Sequence, residues 1–306
     1  MAKYILKRVV AAVLTIWLLV TIVFFLVRLM PGDPFTNAKM TPEIRANMES
    51  YYGFDKPMIV QYGTYMANLL QGDFGYSMKY TNRTVNDLIG ETFPYSADLG
   101  IRGLVMAVSM GLVLGIISAR NRGKKIDFFC VIVAVLGTSI PDFIMGAVLQ
   151  YFFGIKWGLF PIARYDGIEY TILPAFALAF YTLASVSRIM RASMLEVTSQ
   201  DYIKTARSKG ISELRITWKH QIRNAIMPVM TMMGPTVASV LTGTFVIESI
   251  FAIPGMGRHY VQSVSNNDYS MVLGMTVFYG IFLVFCNLIV DVLYGVADPR
   301  VRIGKK

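Results

Sequence analysis

The sequence predicts an all-α integral membrane protein with six transmembrane helices. Hydrophobic residues make up 55% of the 306 residues and charged residues only 16%, whereas a soluble domain has about 25% charged residues. The mean hydropathy of +0.51 agrees with this composition. Uncharged runs near 20 residues long recur along the chain, and a helix of that length crosses ~30 Å of hydrocarbon.

Six uncharged runs locate the predicted spans. Each is expected to be helical, because a spanning segment must satisfy its own backbone polar groups. The first run is longer than a typical signal-peptide core and is followed by Arg28 and Pro31 rather than by a small-residue cleavage site, so we expect it to be retained. Asp142 interrupts the third run. The runs cover residues 9–27, 103–119, 128–155, 170–187, 224–247 and 269–290.

The placement of basic residues orients these spans. Of the 29 Lys and Arg residues, 19 fall in the two terminal tails and in the segments that follow the second and fourth spans, and 8 fall on the opposite side. Because cytoplasmic loops are enriched in Lys and Arg, both ends are expected in the cytoplasm. Nucleic-acid binding is the alternative explanation of the net charge of +10, and this topology makes it unnecessary.

Few residues in the sequence are suited to catalysis or metal binding. The two cysteines, Cys130 and Cys286, lie in apolar runs, and the two histidines, His220 and His259, are far apart. We therefore expect no disulfide, no metal site and no catalytic residue.

The first external segment, about residues 31–96, is long and carries mixed charge. Amphipathic stretches at 42–52 and 57–70 predict a small ordered extracytoplasmic cap, which is a plausible docking surface. A loop that only shields the helix ends is the alternative.

The cytoplasmic segment after the fourth span, about residues 192–227, is strongly patterned, and we call it the coupling segment. Ser199 or Asp201 can cap a short helix, which Gly210 ends because glycine tolerates the left-handed conformation. Ser212 and Glu213 can cap a second helix that leads into the fifth span. This arrangement predicts a short helix suited to a partner's groove; a solvated basic loop is the alternative.

These residues resemble a family signature. The coupling segment is similar to the cytoplasmic loop of ABC importer permeases, in the form found in the peptide and nickel branch, and the first membrane subunit of oligopeptide permeases resembles it most. The motif residues are Asp201-Tyr202, Thr205-Ala206, Lys209-Gly210, Lys219-His220 and Pro228. Similar matches run along the whole chain, at residues 31–35, 72–77, 139–143, 254–257, 267–269 and 298–300.

The resemblance implies a type I importer transmembrane domain at 92–298, preceded by a helix and external segment at 1–91 and followed by a tail at 299–306. It also implies a bacterial cell membrane location, a second homologous permease subunit, two ATPase subunits and an extracytoplasmic peptide-binding protein. The chain has no phosphate-loop motif. ATP and Mg²⁺ are therefore expected on the ATPase subunits, and this chain is expected to be non-catalytic.

The resemblance also implies the site residues. Those that would transmit ATPase motion are Asp201, Tyr202, Thr205, Ala206 and Gly210. Asp142, with Pro141 before it, is the path candidate. Intramembrane carboxylates generally face an interior or a watery cavity, so Asp142 could meet a peptide ammonium, or pair with Arg102 or with another subunit. An interfacial position near the outer headgroups is the alternative.

Oligopeptides are the expected substrate. Dipeptides, nickel or another small solute are alternatives within the family, because much of the selectivity lies in the binding protein. An ion-coupled secondary transporter is the alternative from another class, and a membrane enzyme is a third. Inverted repeats and paired intramembrane charges, which are typical of secondary transporters, are not seen in the sequence.

Overall fold

The structure is a computed structural model that describes residues 2–31, 49–50, 53–80, 83–241 and 245–297. Helices make up nearly all of the regular structure in these ranges, and the β-structure described is one isolated bridge between Tyr76 and Thr84. The helices α1 to α6 are Ala2–Arg28, Met58–Leu70, Val85–Arg120, Lys125–Ser139, Asp142–Leu149 and Glu169–Thr198. The helices α7 to α13 are Asp201–Ser208, Glu213–Ile216, Ile222–Ala225, Met227–Leu241, Phe245–Ile250, Met256–Ser265 and Tyr269–Ala297.

Two stretches of π-helix extend this framework. Gln150–Lys156 continues α5, and Thr217–Gln221 joins α8 to α9. The Gln150 side chain fixes the first stretch, because its amide donates to the carbonyl oxygens of Ile162 at 2.7 Å and of Ile250 at 2.9 Å.

Four helices in the described ranges are long and apolar enough to cross a membrane, namely α1, α3, α6 and α13. They contain the first, second, fourth and sixth predicted spans. The bent pair of α4 and α5 contains the third, and it makes a fifth crossing if it is one broken span. The fifth predicted span covers α10 and part of α11, and residues 242–244 between them lie outside the described residues. The membrane-embedded helical fold is therefore confirmed, and the count of six stays a prediction.

Helix α3 begins 18 residues before the run that predicted it. Charged side chains at Asp87, Glu91, Asp98 and Arg102 interrupt the apolar pattern without breaking the helix. Arg102 Nε donates to Asp98 Oδ2 at 2.8 Å, one helical turn away. Arg102 is thus paired with Asp98, and the alternative that Asp142 pairs with Arg102 is wrong.

The chain divides into two compact units. Unit 1 holds residues 1–95 and 255–285, and unit 2 holds residues 96–254 and 286–306. The predicted boundaries at 91/92 and 298/299 stay a prediction.

In unit 1, the first part of α13 packs on α1 and on α2. Val20 and Phe24 of α1 and Val277 of α13 are almost fully buried in this core. Helix α2 confirms the predicted amphipathic stretch at 57–70, with Pro57 as its N-cap residue. The other predicted stretch, 42–52, lies almost wholly outside the described residues.

The loop that precedes α3 in unit 1 is held by two polar side chains. Asn86 accepts from the Phe74 amide at 3.0 Å and donates to the Gly72 carbonyl at 2.6 Å. The buried Asp268 accepts from Ser77 Oγ and from the Met78 amide at 3.1 Å, and it caps α13 through the Met271 amide at 3.1 Å. Two motifs that lie about 190 residues apart in the sequence, at 72–77 and 267–269, therefore meet in the fold.

In unit 2, α6 is the central helix. Of its apolar window 67% is buried within the chain, against 11% for the window of α1. Helix α3 approaches α6 closely through glycines, since a Cβ placed on Gly111 would lie 2.8 Å from the Leu183 carbonyl oxygen and one on Gly115 would lie 2.7 Å from that of Ser187. Such small-residue interfaces are typical of membrane helices.

Candidate functional site

The coupling segment contains the predicted short helix. Helix α7 covers Asp201–Ser208, and Gly210 ends it with a φ of +74°. The second helix, α8, begins at Glu213 after Ser212, whose backbone is extended. The N-cap residue of α7 is Gln200 rather than Ser199 or Asp201, so that detail of the prediction is wrong. No side-chain cap hydrogen bond is recorded at either helix start.

The five predicted coupling residues do not share one surface. Asp201, Tyr202 and Thr205 are exposed, and Tyr202 shows 44% of its surface. Ala206 is 4% exposed and lies with Ile203 on the inner face of α7. Gly210 is exposed in the turn, and a Cβ there would meet no atom within 4 Å. The accessible part of the predicted surface is therefore Asp201, Tyr202 and Thr205, beside the turn.

The inner face of α7 rests on a small apolar cluster. Ile203 and Ile216 are fully buried, and they pack with Ala206 against the partly buried Val197 and Ile211. A small residue at 206 allows α7 to lie close to its support. The helix is thus fixed on the end of α6 and on α8.

An ion pair closes the turn between α7 and α8. Arg207 Nε donates to Glu213 Oε1 at 2.7 Å, and the terminal nitrogen donates to Oε2 at 3.2 Å. The hydrogen bond from Arg207 lowers the pKa of the Glu213 carboxyl below its ordinary value. Both side chains are about half exposed, so this pair orients the turn and adds little stability.

A second bond ties the coupling segment to the end of α6. Gln221 is 4% exposed, and its Nε2 donates to Thr198 Oγ1 at 2.9 Å. A cavity of about 240 Å³ lies beside this bond and reaches Arg120 at the end of α3. The coupling segment is therefore attached to α6 by an apolar cluster on one side and by a buried amide on the other.

The start of α4 is fastened to α6 by a buried carboxylate that the sequence did not single out. Arg191 Nε donates to Asp127 Oδ1 at 2.8 Å, and its terminal nitrogen donates to Oδ2 at 2.9 Å. Ser118 Oγ and the Gly123 amide donate to the same carboxylate. An acidic residue two positions after Lys124-Lys125, at the edge of an apolar run, is the signal that could have marked it.

Pro141 and Asp142 lie at a break between two helices, and not within one helix as the sequence predicted. Helix α4 ends at Ser139, α5 begins at Asp142, and their axes meet at 110°. Ile140 is extended, with φ −93° and ψ 120°, because a residue before proline disfavours the helical conformation. Asp142 is half-buried in the first turn of α5, and its Oδ1 accepts from the Phe143 amide at 2.9 Å.

A cavity of about 430 Å³ opens at this break. Asp142 is the carboxylate in its wall, which also carries hydroxyl groups of α4, α6 and α10 beside the apolar residues Ile140, Pro141, Leu178 and Val240. A carboxylate among hydroxyls is suited to an ammonium group or to amide N–H donors. Its polar lining residues are Thr138, Ser139, Asp142, Tyr181, Thr182 and Ser239.

Metal ligands do not cluster in the part of the chain that the structure describes. There, no group of three or more His, Cys, Asp or Glu side chains is arranged to hold a metal ion. Cys130 and Cys286 are buried free thiols. The buried Glu248 accepts from Ser96 Oγ at 2.7 Å in unit 2.

Two protein-family models match this chain, one in its N-terminal third and one in the remainder. Residues 111–303 match the family described as binding-protein-dependent transport system inner membrane component. Residues 1–100 match the N-terminal region of the corresponding membrane component.

Curated relatives match along the full length. The dipeptide transport system permease protein DppB of Bacillus subtilis is 44% identical over 307 residues, which cover 100% of each chain. The oligopeptide transport system permease proteins OppB of Haemophilus influenzae and Salmonella typhimurium are 41% and 40% identical over 305 residues, covering 99% of this chain and 100% of theirs.

A solved structure shares the fold. The crystal structure of an amino acid ABC transporter with histidines superposes with a TM-score of 0.53 over 68% of this chain and 94% of that chain, at 17% sequence identity. With that fold, two family matches and relatives of 40–44% identity along its whole length, the chain belongs to the family of binding-protein-dependent transport system inner membrane components.

Proposed function

We propose that this protein is a permease subunit of an ATP-driven ABC importer and forms half of a translocation path for peptides, most simply oligopeptides. The full-length similarity to peptide permeases is the observation that carries the proposal. The relatives include both dipeptide and oligopeptide permeases, so dipeptides remain the alternative substrate, with nickel or another small solute behind them. The expected membrane topology is six spans with both ends in the cytoplasm and an extracytoplasmic cap after α1.

Three classes of partner complete the proposed importer. A second homologous permease subunit supplies the other half of the path, two ATPase subunits bind ATP and Mg²⁺, and an extracytoplasmic binding protein delivers the peptide. The chain itself performs no hydrolysis. The exposed residues Asp201, Tyr202 and Thr205 on α7 are the proposed ATPase contact, and the buried Ile203 and Ala206 hold that contact against unit 2.

The proposed mechanism links two ends of unit 2. Closure of the ATPase subunits moves α7, and the attachments of the coupling segment pass this motion to α6. Helix α6 packs on α3 through Gly111 and Gly115 and is bonded to the start of α4 through Arg191. A rigid displacement of these helices would open and close the cavity at Asp142, which is the proposed point of contact with a peptide ammonium group.

The experiment uses Gly210, because its positive φ makes the turn sensitive to substitution. A β-branched residue in the left-handed region costs about 1–2 kcal/mol, so Gly210→Val should distort the turn behind α7. We expect peptide uptake to fall about tenfold in proteoliposomes that contain all subunits, while ATP hydrolysis continues, because 1.4 kcal/mol corresponds to a factor of ten.

Gly158 offers a matched control. It has a φ of +61°, and a Cβ there would also meet no atom within 4 Å. Gly158→Val introduces the same kind of backbone strain in a loop of the same unit that the proposed transmission does not use. Uptake that falls equally in both variants, or in neither, would contradict the assignment of α7. Uptake that persists without ATP and stops when ion gradients are collapsed would favour a secondary transporter.

A further inference from the structure

A cavity of about 350 Å³ lies in unit 1, where the ends of two candidate spans meet. Phe24 and Arg28 from the last turns of α1 form one wall, and Ser270 and Leu273 from the first turns of α13 form another. Helix α2 closes the cavity with one polar stripe, since Gln61, Thr64, Tyr65 and Asn68 follow helical spacing. None of these residues takes part in the proposed path or in the coupling segment.

Three of the four buried side-chain N or O atoms without a hydrogen-bond partner, counted over the described residues, belong to residues that line this cavity. They are Arg28 Nη1, Gln61 Oε1 and Tyr65 Oη. A buried polar group left unpaired costs about 1–3 kcal/mol, so their concentration in one cavity indicates a site for a polar ligand.

The chemistry of these atoms specifies the ligand. The guanidinium of Arg28 lies 3.9 Å from the centre of the Phe54 ring, which holds it in place and leaves Nη1 to donate to an anionic oxygen. Burial and the charge of Asp73 raise the pKa of Tyr65, so its hydroxyl remains a donor at neutral pH. Gln61 Nε2 donates to the Lys56 carbonyl at 2.8 Å, which leaves Oε1 to accept from an N–H or O–H group of the ligand.

The position of the cavity relative to the membrane indicates where that ligand comes from. Arg28 is the last residue of an apolar helix long enough to span the bilayer, and the neighbouring Leu26 and Leu29 are 58% and 76% exposed. Such a position lies at the level of the lipid headgroups, where Arg side chains reach phosphates. Arg28 and Lys56 outnumber Asp73 among the charged residues of the cavity wall, which favours an anionic ligand.

We propose that this cavity binds the headgroup of a phospholipid, whose phosphate accepts from Arg28 and Tyr65 and whose hydroxyl or ammonium group donates to Gln61. Phosphatidylglycerol fits these requirements best, because it is anionic and carries hydroxyl donors. Phosphatidylethanolamine satisfies Gln61 without the net charge. Phosphatidylcholine has no N–H or O–H donor in its headgroup, so it would leave Gln61 unpaired.

The test measures lipid binding to the delipidated full-length protein in detergent, by native mass spectrometry with short-chain phosphatidylglycerol, phosphatidylethanolamine and phosphatidylcholine. We expect phosphatidylglycerol to bind most tightly and phosphatidylcholine least. Tyr65→Phe should weaken phosphatidylglycerol binding about tenfold, as for one hydrogen bond to a charged group, and Arg28→Gln should weaken it further, because it removes a positive charge as well as a donor.

Tyr62→Phe is the matched control, because it removes a hydroxyl from the same helix that bonds to Thr21 at 2.7 Å instead of reaching the cavity. It should leave lipid binding unchanged. Equal binding of the three lipids, or equal effects of Tyr65→Phe and Tyr62→Phe, would show a water-filled cavity and overturn the proposal. Inorganic phosphate or an acidic peptide that binds as tightly as phosphatidylglycerol, and displaces it, would also overturn it. If Arg28→Gln fails to fold, Tyr65→Phe carries the test.

Discussion

Asp127 is a buried carboxylate whose two oxygens receive hydrogen bonds from Arg191, Ser118 and the Gly123 amide. Its side chain is 8% exposed and that of Arg191 is 30% exposed. Removing one partner of a fully buried pair costs about 3–5 kcal/mol, and the partial exposure of Arg191 lowers this to about 2 kcal/mol. We therefore expect Asp127→Asn to lower the apparent melting temperature in detergent by several degrees.

The ion pair between Arg83 and Glu91 provides the comparison for this prediction. Its side chains are 46% and 56% exposed, and exposed pairs contribute about 0–1 kcal/mol. Glu91→Gln makes the same chemical change as Asp127→Asn and should leave the melting temperature nearly unchanged. Equal shifts of the melting temperature in the two variants would show that the hydrogen bonds to Asp127 stabilise the protein no more than an exposed ion pair does.

Asp142 supplies the carboxylate of the cavity at the break between α4 and α5. If it meets the ammonium end of a peptide, Asp142→Asn removes a charge-assisted hydrogen bond, which contributes about 1.5–3 kcal/mol. We expect uptake of peptides with a free N-terminus to fall about tenfold or more. Uptake assays with isotope-labelled peptides in proteoliposomes measure this directly.

The same peptides with an acetylated N-terminus are the control for Asp142, since they lack the ammonium group. Their uptake, relative to wild type, should change little in Asp142→Asn. A variant that takes up every free peptide at the wild-type rate would remove Asp142 from the path. Equal losses for free and acetylated peptides would instead indicate a structural role at the helix break.

At the level of elements, the close contact between α3 and α6 depends on the absence of a Cβ atom at the glycines of α3. A Cβ on Gly111 would lie 2.8 Å from a backbone oxygen and 2.8 Å from Val186 Cβ, and backbone atoms cannot rotate away. Overpacking of this kind costs about 1–3 kcal/mol. Gly111→Ala should therefore lower the apparent melting temperature, even though alanine favours the helix by about 1 kcal/mol.

Gly90 lies on the same helix, and a Cβ there would meet no atom within 4 Å. Gly90→Ala therefore isolates the effect of helix propensity, and it should leave the melting temperature unchanged or raise it. A stabilising effect of Gly111→Ala would mean that α3 and α6 separate easily, which the proposed transmission through α6 does not allow.

The sequence predicted most elements because the relevant signals are local. Apolar runs located α1, α3, α6 and α13, and Gly210 and Glu213 marked the turn of the coupling segment. The apolar run at 128–155 predicted one helix, whereas the structure has two helices on either side of Pro141, since the direction of the chain after a proline depends on later contacts. Gln150 makes such contacts, to Ile162 and to Ile250, which is 100 residues away.

The bond between Asp127 and Arg191 was not predictable for the same reason. The two residues are 64 positions apart, and each of them alone is typical of a charged residue at the edge of a membrane span. The inward position of Ala206 is different, because it follows from the helical spacing of Ile203 and Ala206 against the polar face of α7. That spacing places Asp201 and Thr205 on the face away from Ile203 and so separates these two exposed residues from the supporting Ala206.

For the molecule as a whole, α10 decides the number of membrane crossings. It has 15 residues, which at 1.5 Å per residue give about 22 Å, less than the ~30 Å of a bilayer core. A crossing here therefore requires a helix longer than α10 alone, and α9 continues into α10 through backbone bonds from Ile226 to Ile222 and from Met230 to Ile226, both 3.0 Å. Counting this crossing and the bent pair of α4 and α5 gives six, an even number that puts both termini on the same side.

Two exposed serines on either side of α10 and α11 test this crossing. Ser208 ends α7 and Ser265 ends α12, and both are exposed. With Cys130 and Cys286 replaced by alanine, the variants Ser208→Cys and Ser265→Cys each carry one reactive thiol. If the chain crosses between them, a membrane-impermeant maleimide applied to intact spheroplasts should label Ser265→Cys at once and Ser208→Cys only after permeabilisation. The cysteine-free protein measures the background. Labelling of both thiols from outside, or of neither, would place α7 and α12 on one side of the membrane and contradict the six-span topology.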